Sequence, residues 1–186
     1  GDDAIVLKST LDIPCKDVAI TNCVLRSDCN AFKLGTETNG GFQNIVFSNC
    51  TIYDTPLAGI TLQMVDGGTL ERVSVSNITM NNVGTAIFIR LGNRARPQND
   101  SLPKPGMGKL SHVIIDNILG TNIGKTGCSI TGLPGYLAEN IMLSNISLTF
   151  AGGGTAEPAA REIPELPDAY PEHEMFGELP AYGFYC

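Results

Sequence analysis

The chain has 186 residues, 42% of them hydrophobic, and 12 basic against 19 acidic side chains give a formal net charge of −7. That length and composition suffice for one globular domain with a substantial core. They exclude a polyanion binder working by bulk attraction, so neither nucleic acid nor an anionic membrane is an expected partner, and no apolar run approaches the roughly 20 residues of a bilayer span.

The chain opens GDDAIVLKST, with Asp2 and Asp3 directly ahead of a run that alternates apolar and polar as a strand does. Two adjacent acids there read either as a solvated turn or as part of a site completed elsewhere. Next comes VAITNC, the first of five related segments that continue as IVFSNC, VSVSNI, VIIDNI and IMLSNI, with asparagines at Asn22, Asn49, Asn77, Asn117 and Asn145. Their separations are 27, 28, 40 and 28 residues, and the long step holds the Pro/Gly/Lys/Arg-rich insertion RARPQNDSLPKPGMGK at about residues 94–109. Between these segments lie AFKLG, GITLQ, AIFIR and CSITG, each matching the opening AIVLK.

A repeat of this length, β-branched, Gly-rich and without a 3.6-residue period, predicts an all-β right-handed parallel β-helix of about 27-residue turns over residues 1–154. Equivalent residues of successive turns then stack about 4.8 Å apart, so each repeated Asn passes a side-chain amide hydrogen bond to the next. Cys23 and Cys50 each follow one of these asparagines and are expected inside the coil as neighbours. The remaining cysteines, Cys15, Cys29, Cys128 and Cys186, show no CxxC spacing, which argues against zinc. The sequons at Asn77 and Asn145 are ladder positions.

Residues 155–186, TAEPAAREIPELPDAYPEHEMFGELPAYGFYC, break the pattern, because five prolines forbid a regular ladder. Their Tyr and Phe content predicts an ordered segment packed on the coil. The sequence reads as a fragment that lacks preceding turns and a closing cap.

Aligning AIVLK with AFKLG places Asp3 over Asn30 and Asp2 over Cys29, and puts Lys8, Gly35, Gln63 and Arg90 at equivalent strand ends. Stacking therefore gathers acids and bases from distant sequence along one groove. Two carboxyl groups across a sugar are what glycoside hydrolysis requires, and a nearby cation holds an acidic sugar.

On GDDAIVLKS, the coil repeat and the strand ending IFIRLGNR, the chain resembles glycoside hydrolase family 28, the polygalacturonase and rhamnogalacturonase group. The resemblance implies a secreted or periplasmic inverting hydrolase of pectin-type, galacturonic acid-containing polysaccharide, monomeric when intact and without metal or other cofactor. It implies that Asp2 is the general acid. It implies too that Asp3 activates water together with an Asp one turn earlier, which would precede Gly1, so residues 1–186 alone are expected to be impaired.

Departures from the family pattern accompany the match. The family's Gly-His-Gly histidine falls on Asn30, which the match makes a candidate substrate ligand, and its Arg-Ile-Lys clamp falls on Phe88, Ile89 and Arg90. Arg90 is then a candidate substrate ligand, joined at the rim by Glu37 and Asn39 of GTETNGG and by Arg94 and Arg96. Glu37 is expected to fix Arg90, the alternative being a third carboxylate in place of the missing histidine; Lys8 and Lys33 are expected to be rim or solvent residues, and His112 and His173 to do no chemistry. The competing readings are a non-catalytic carbohydrate-binding or structural β-helix and a pectate-lyase-like enzyme.

Overall fold

Short alternating segments punctuated by Asn, Asp and Gly give a chain that turns a corner every few residues, and it closes into a parallel β-helix of about five turns of about 28 residues. The computed structural model describes residues 1–152, 154–181 and 183–186. The strands are β1 (Ile5–Ser9), β2 (Cys15–Thr21), β3 (Val24–Leu25), β4 (Phe32–Thr38), β5 (Phe42–Met64), β6 (Thr69–Leu91), β7 (Lys109–Ile123), β8 (Cys128–Thr131), β9 (Ala138–Phe150) and β10 (Phe184–Tyr185), with one short helix, α1 (Glu157–Ala160). Successive turns stack in the order β1, β4, β5, β6, β7, β9, all in parallel. Among the described residues no helix is long and apolar enough to cross a membrane.

Because every turn repeats the one below, like residues stack into columns. Ile45, Val73, Val113 and Ile141 form one inward column, and Phe47, Val75, Ile115 and Leu143 another. Phe32 stacks on Phe47 with ring centroids 4.3 Å apart. Burying such side chains, at about 25 cal/mol per Å² of apolar surface, is what holds the coil closed. Cys23 and Cys50 lie one above the other as expected, the Cys23 N–H donating to Cys50 Sγ at 3.3 Å. All six cysteines are free thiols.

The repeated asparagines mark a corner where the backbone turns left-handed, with φ between 52° and 57° from Asn22 to Asn145. Asn is the residue best suited to that conformation after Gly. The amide ladder runs from Asn117 to Asn77 at 2.7 Å and from Asn77 to Asn49 at 2.9 Å. It is shorter than the repeat implies: Asn49 reaches Thr21 Oγ1 instead of Asn22, and Asn145 reaches Asp116. Two further left-handed columns, Asp17, Asn44, Arg72, His112 and Asn140, and Asp54, Asn82 and Asn122, turn the other corners.

After β9 the chain leaves the coil, forms α1, and returns only at β10, which pairs in parallel with β8. The intervening segment is a strap laid over the outward face of β4, β5, β6 and β8. Under it Lys33, Thr61, Gln63, Phe88, Arg90 and Ser129, which a bare coil would expose, are all buried. The strap is fastened through its carbonyls: Asn93 N–H donates to Pro167 O at 2.6 Å, Gln63 Nε2 to Pro171 O at 2.7 Å, and Gly127 N–H to Leu179 O at 3.0 Å.

Candidate functional site

Asp2 and Asp3 precede β1, and the coil register decides what they meet. Ala4 N–H donates to Asn30 O and Ile5 N–H to Ala31 O, both at 2.9 Å, which sets Asp3 over Asn30 as the repeat predicts. The two acids are held differently. Asp2 is exposed, its backbone carbonyl fixed by the Ser27 hydroxyl and its Oδ1 accepting from Asp3 N–H at 2.8 Å. Asp3 is pinned, with Oδ1 accepting from Asn30 N–H at 3.0 Å and Asn30 Nδ2 at 2.8 Å, and Oδ2 lying 3.2 Å from Lys33 Nζ. One oxygen of each acid and Cys29 Sγ lie within 4.8 Å of one another. Burial above all, and then the Asp2 and Asp3 charges, push the Cys29 thiol up, so it stays a neutral neighbour of the pair.

Asn30, expected at the substrate, is fully buried and joins three turns, because its Oδ1 also accepts from Ala58 N–H at 3.0 Å.

Lys33 also departs from expectation. Read as a rim residue, it is 4% exposed, because the strap delivers Glu172 to its other side, with Glu172 Oε1 3.2 Å from Nζ. Burial lowers its pKa, but Glu172 and Asp3, assisted by Tyr170, outweigh it and raise the value overall. Glu172 lies 139 residues from Lys33 in a segment with no periodicity, so nothing local in the sequence announces it.

Tyr170, half-exposed on the strap, leads from this cluster to a second one: Lys33 Nζ lies 5.8 Å from its ring centroid and the Arg94 guanidinium 5.6 Å. Arg94 forks onto both oxygens of the buried Asp66 and donates to Thr36 O at 3.1 Å. Arg96 donates through its backbone N–H to Asp66 Oδ1 at 2.9 Å and through its guanidinium to Glu37 Oε1 at 2.9 Å. Glu37 therefore pairs with Arg96 and, at 3.6 Å, with Lys8, and not with Arg90 as expected. Asn39 is structural, its Nδ2 donating to Arg96 O at 2.9 Å and Asp66 O at 3.3 Å, which ties the insertion to the coil. The bidentate Arg94 contact to a fully desolvated Asp66 is the anchor of that insertion.

Arg90 needs the largest correction. It stacks beside Gln63 and Thr131 as the register requires, yet it is 1% exposed and lies beneath the strap. Its guanidinium donates to Thr131 Oγ1 at 3.3 Å, Gly132 O at 3.0 Å, Glu165 O at 2.6 Å and Leu166 O at 3.2 Å, and it faces the Phe176 ring at 5.4 Å. Burial among neutral oxygens depresses its pKa. Arg90 clasps the strap, and the groups nearest the acid pair are the buried Lys33 with Glu172 and Tyr170 of the strap instead. His112 lies on an outer corner beside Ser111 and Asn140. His173 follows Glu172 in the strap, and burial lowers its pKa against the pull of Glu174.

No protein-family model matches this chain, and no curated protein matches it.

Proposed function

We propose that this chain carries the acid pair of a glycoside hydrolase acting on pectin-type polysaccharide without a metal. The observation that carries the reading is the unequal setting of two adjacent carboxyls. Asp2 is exposed and lightly bonded, as a group that hands a proton to a leaving oxygen must be. Asp3 is fixed by three donors, as a group that orients a water must be. The resemblance of GDDAIVLKS to family 28 assigns the same roles to the same two residues. An exposed Tyr170 and a row of charged side chains along the same face supply a surface for a saccharide.

Stereochemistry separates two forms of this reading. Carboxyls about 6.5–9.5 Å apart go with inversion and about 5–5.5 Å with retention. The family resemblance implies inversion, with Asp3 activating the water, whereas a covalent intermediate on Asp3 would give retention. The anomeric form of the first product, followed by NMR, decides between them.

The test of the function itself is incubation of the intact protein with polygalacturonate and with rhamnogalacturonan. New reducing ends without unsaturated-sugar absorbance support hydrolysis. Absorbance means elimination, and neither signal returns the coil to a binding or structural role. In the active protein Asp2→Asn lowers turnover by about 10²–10⁴-fold, and an unchanged rate removes Asp2 from the mechanism.

A further inference from the structure

We propose that Cys23 and Cys50 form a modification site: a disulfide closes between them in the folded coil and staples its first turn to the second. Register brings the two together. Thr21 pairs with Ser48 and Val24 with Thr51, so Cys23 falls directly opposite Cys50. Neighbouring strands of such a coil stand about 4.7–4.9 Å apart, inside the roughly 4.4–6.8 Å between Cα atoms that a disulfide spans. The Cys23 N–H already donates to Cys50 Sγ at 3.3 Å. Each thiol donates to the carbonyl two residues before it, Cys23 Sγ to Thr21 O at 3.3 Å and Cys50 Sγ to Ser48 O at 3.1 Å. The two sulfurs therefore occupy like positions in successive turns. The other cysteines meet different partners: Cys15 pairs with Phe42 and Cys128 with Phe184, Cys29 stands beside Asp2, and Cys186 is exposed.

The column they occupy suits the bond. Going up the coil, the same inward position is held by Cys23, Cys50, Ile78, Ile118 and Ile146, so the two smallest side chains of the column are the two that rotate to meet. Cys23 is half-buried and Cys50 only 4% exposed, which orders the chemistry. The Cys23 thiolate attacks one sulfur of a small disulfide such as oxidised glutathione, forming a mixed disulfide and expelling one glutathione thiolate. Cys50, as thiolate, then attacks the Cys23 sulfur and expels the second. Two protein thiols are oxidised, the oxidant's S–S bond is reduced, and the two thiol protons pass to the two glutathione sulfurs. Burial above all pushes the Cys50 thiol up, so the second step is the slower. The bond closes a step of 27 residues that contains Ser27 and Asn30, which hold Asp2 and Asp3. The first turn has the most to gain from it. Its inward Val18 and Ile20 are half-buried, whereas Ile45 and Phe47 stacked on them are fully buried, and the elements with least buried apolar surface open first.

The bond depends on the register of the coil and not on the chemistry of the acid pair, so oxidation tests it without a saccharide. The folded chain is equilibrated with oxidised glutathione, alkylated and mapped as peptides, for the wild type, Cys15→Ser and Cys23→Ser. The wild type and Cys15→Ser are expected to give one cross-linked species joining Cys23 to Cys50, the six alkylatable thiols falling by two. Cys23→Ser gives none. The oxidised wild type melts about 5–10 °C above the reduced form, its β2 and β3 amides exchange more slowly, and a dithiol reductant reverses both. The wild-type map decides the pairing even where a variant folds poorly. Cys23 and Cys50 both alkylatable in the oxidised folded chain, a cross-link that forms only in urea, or a bond to another cysteine overturns the proposal. A cross-linked wild type that melts and exchanges as the reduced form does overturns the staple.

Discussion

Asn30 donates two hydrogen bonds to one oxygen of Asp3, from its backbone at 3.0 Å and from its amide at 2.8 Å, while its own carbonyl oxygen receives the N–H of Ala58 in the next turn. One side chain thus transmits the position of the coil to the acid pair. Asn30→Ala leaves the Ala58 N–H buried without a partner and frees Asp3 on one side. The expected cost is about 1–3 kcal/mol of stability, read as a lower urea midpoint. On the hydrolase reading, turnover falls with it. Asn30→Asp is expected to be worse, because it sets a second carboxylate against Asp3.

Arg90 gives the second prediction. Its guanidinium ties Glu165 and Leu166 of the strap to Thr131 and Gly132 of the coil. Lysine has neither the planar fork nor the five donors to replace it. Arg90→Lys is therefore expected to release the strap while the coil persists, read as protease cleavage between residues 161 and 180 at concentrations that leave the wild type intact. Arg90→Ala cleaves faster still. If the variants resist proteolysis as the wild type does, the strap is held by its other contacts and Arg90 is not its clasp.

The coil was legible because a repeat states itself several times. Asn49, Asn77 and Asn117 announce both the period and the corner, and the pairing of Asp3 with Asn30 follows from register alone. The strap was legible only as an ordered segment packed on the coil and not in its path, since Glu172, Tyr170 and Arg90's acceptors meet the coil through backbone carbonyls and single side chains, and neither leaves a period in the sequence. Lys33 and Arg90 were misplaced for the same reason. Both point outward from the sheet, outward positions of a bare coil face solvent, and only the strap's path reveals that these do not. Asp66 shows the same limit, because VDGG reads as a turn and the Arg94 that makes it an anchor arrives through the insertion.

His173 gives the strap a pH dependence. Burial lowers its pKa below the usual histidine value, against the weaker pull of Glu174. A depressed folded pKa means that the unfolded chain binds the proton more readily. Stability is therefore full above about pH 6.5, the ordinary histidine value, and falls as pH drops through the folded pKa. Melting temperature should decline over that interval, and His173→Gln should flatten the decline while leaving the alkaline side unchanged. An identical acid slope in the variant assigns the loss to carboxylates instead.

The asparagine corner supplies the last prediction, because two properties of Asn77 can be separated by substitution. Its backbone is left-handed at φ 55°, and its amide both donates to Asn49 and accepts from Asn117. Gly keeps the conformation without strain and loses the amide. Ala loses the amide and also places a Cβ in a conformation that costs about 1–2 kcal/mol. If the backbone dominates, Asn77→Gly is nearly neutral and Asn77→Ala costs about 2 kcal/mol or more. If the ladder dominates, both variants fall by similar amounts. Exposed amide hydrogen bonds exchange with water for little net gain, whereas a left-handed Ala has no way to relax within a stack of equivalent corners. The first pattern is therefore expected, with denaturant midpoints ordered wild type, Asn77→Gly, Asn77→Ala.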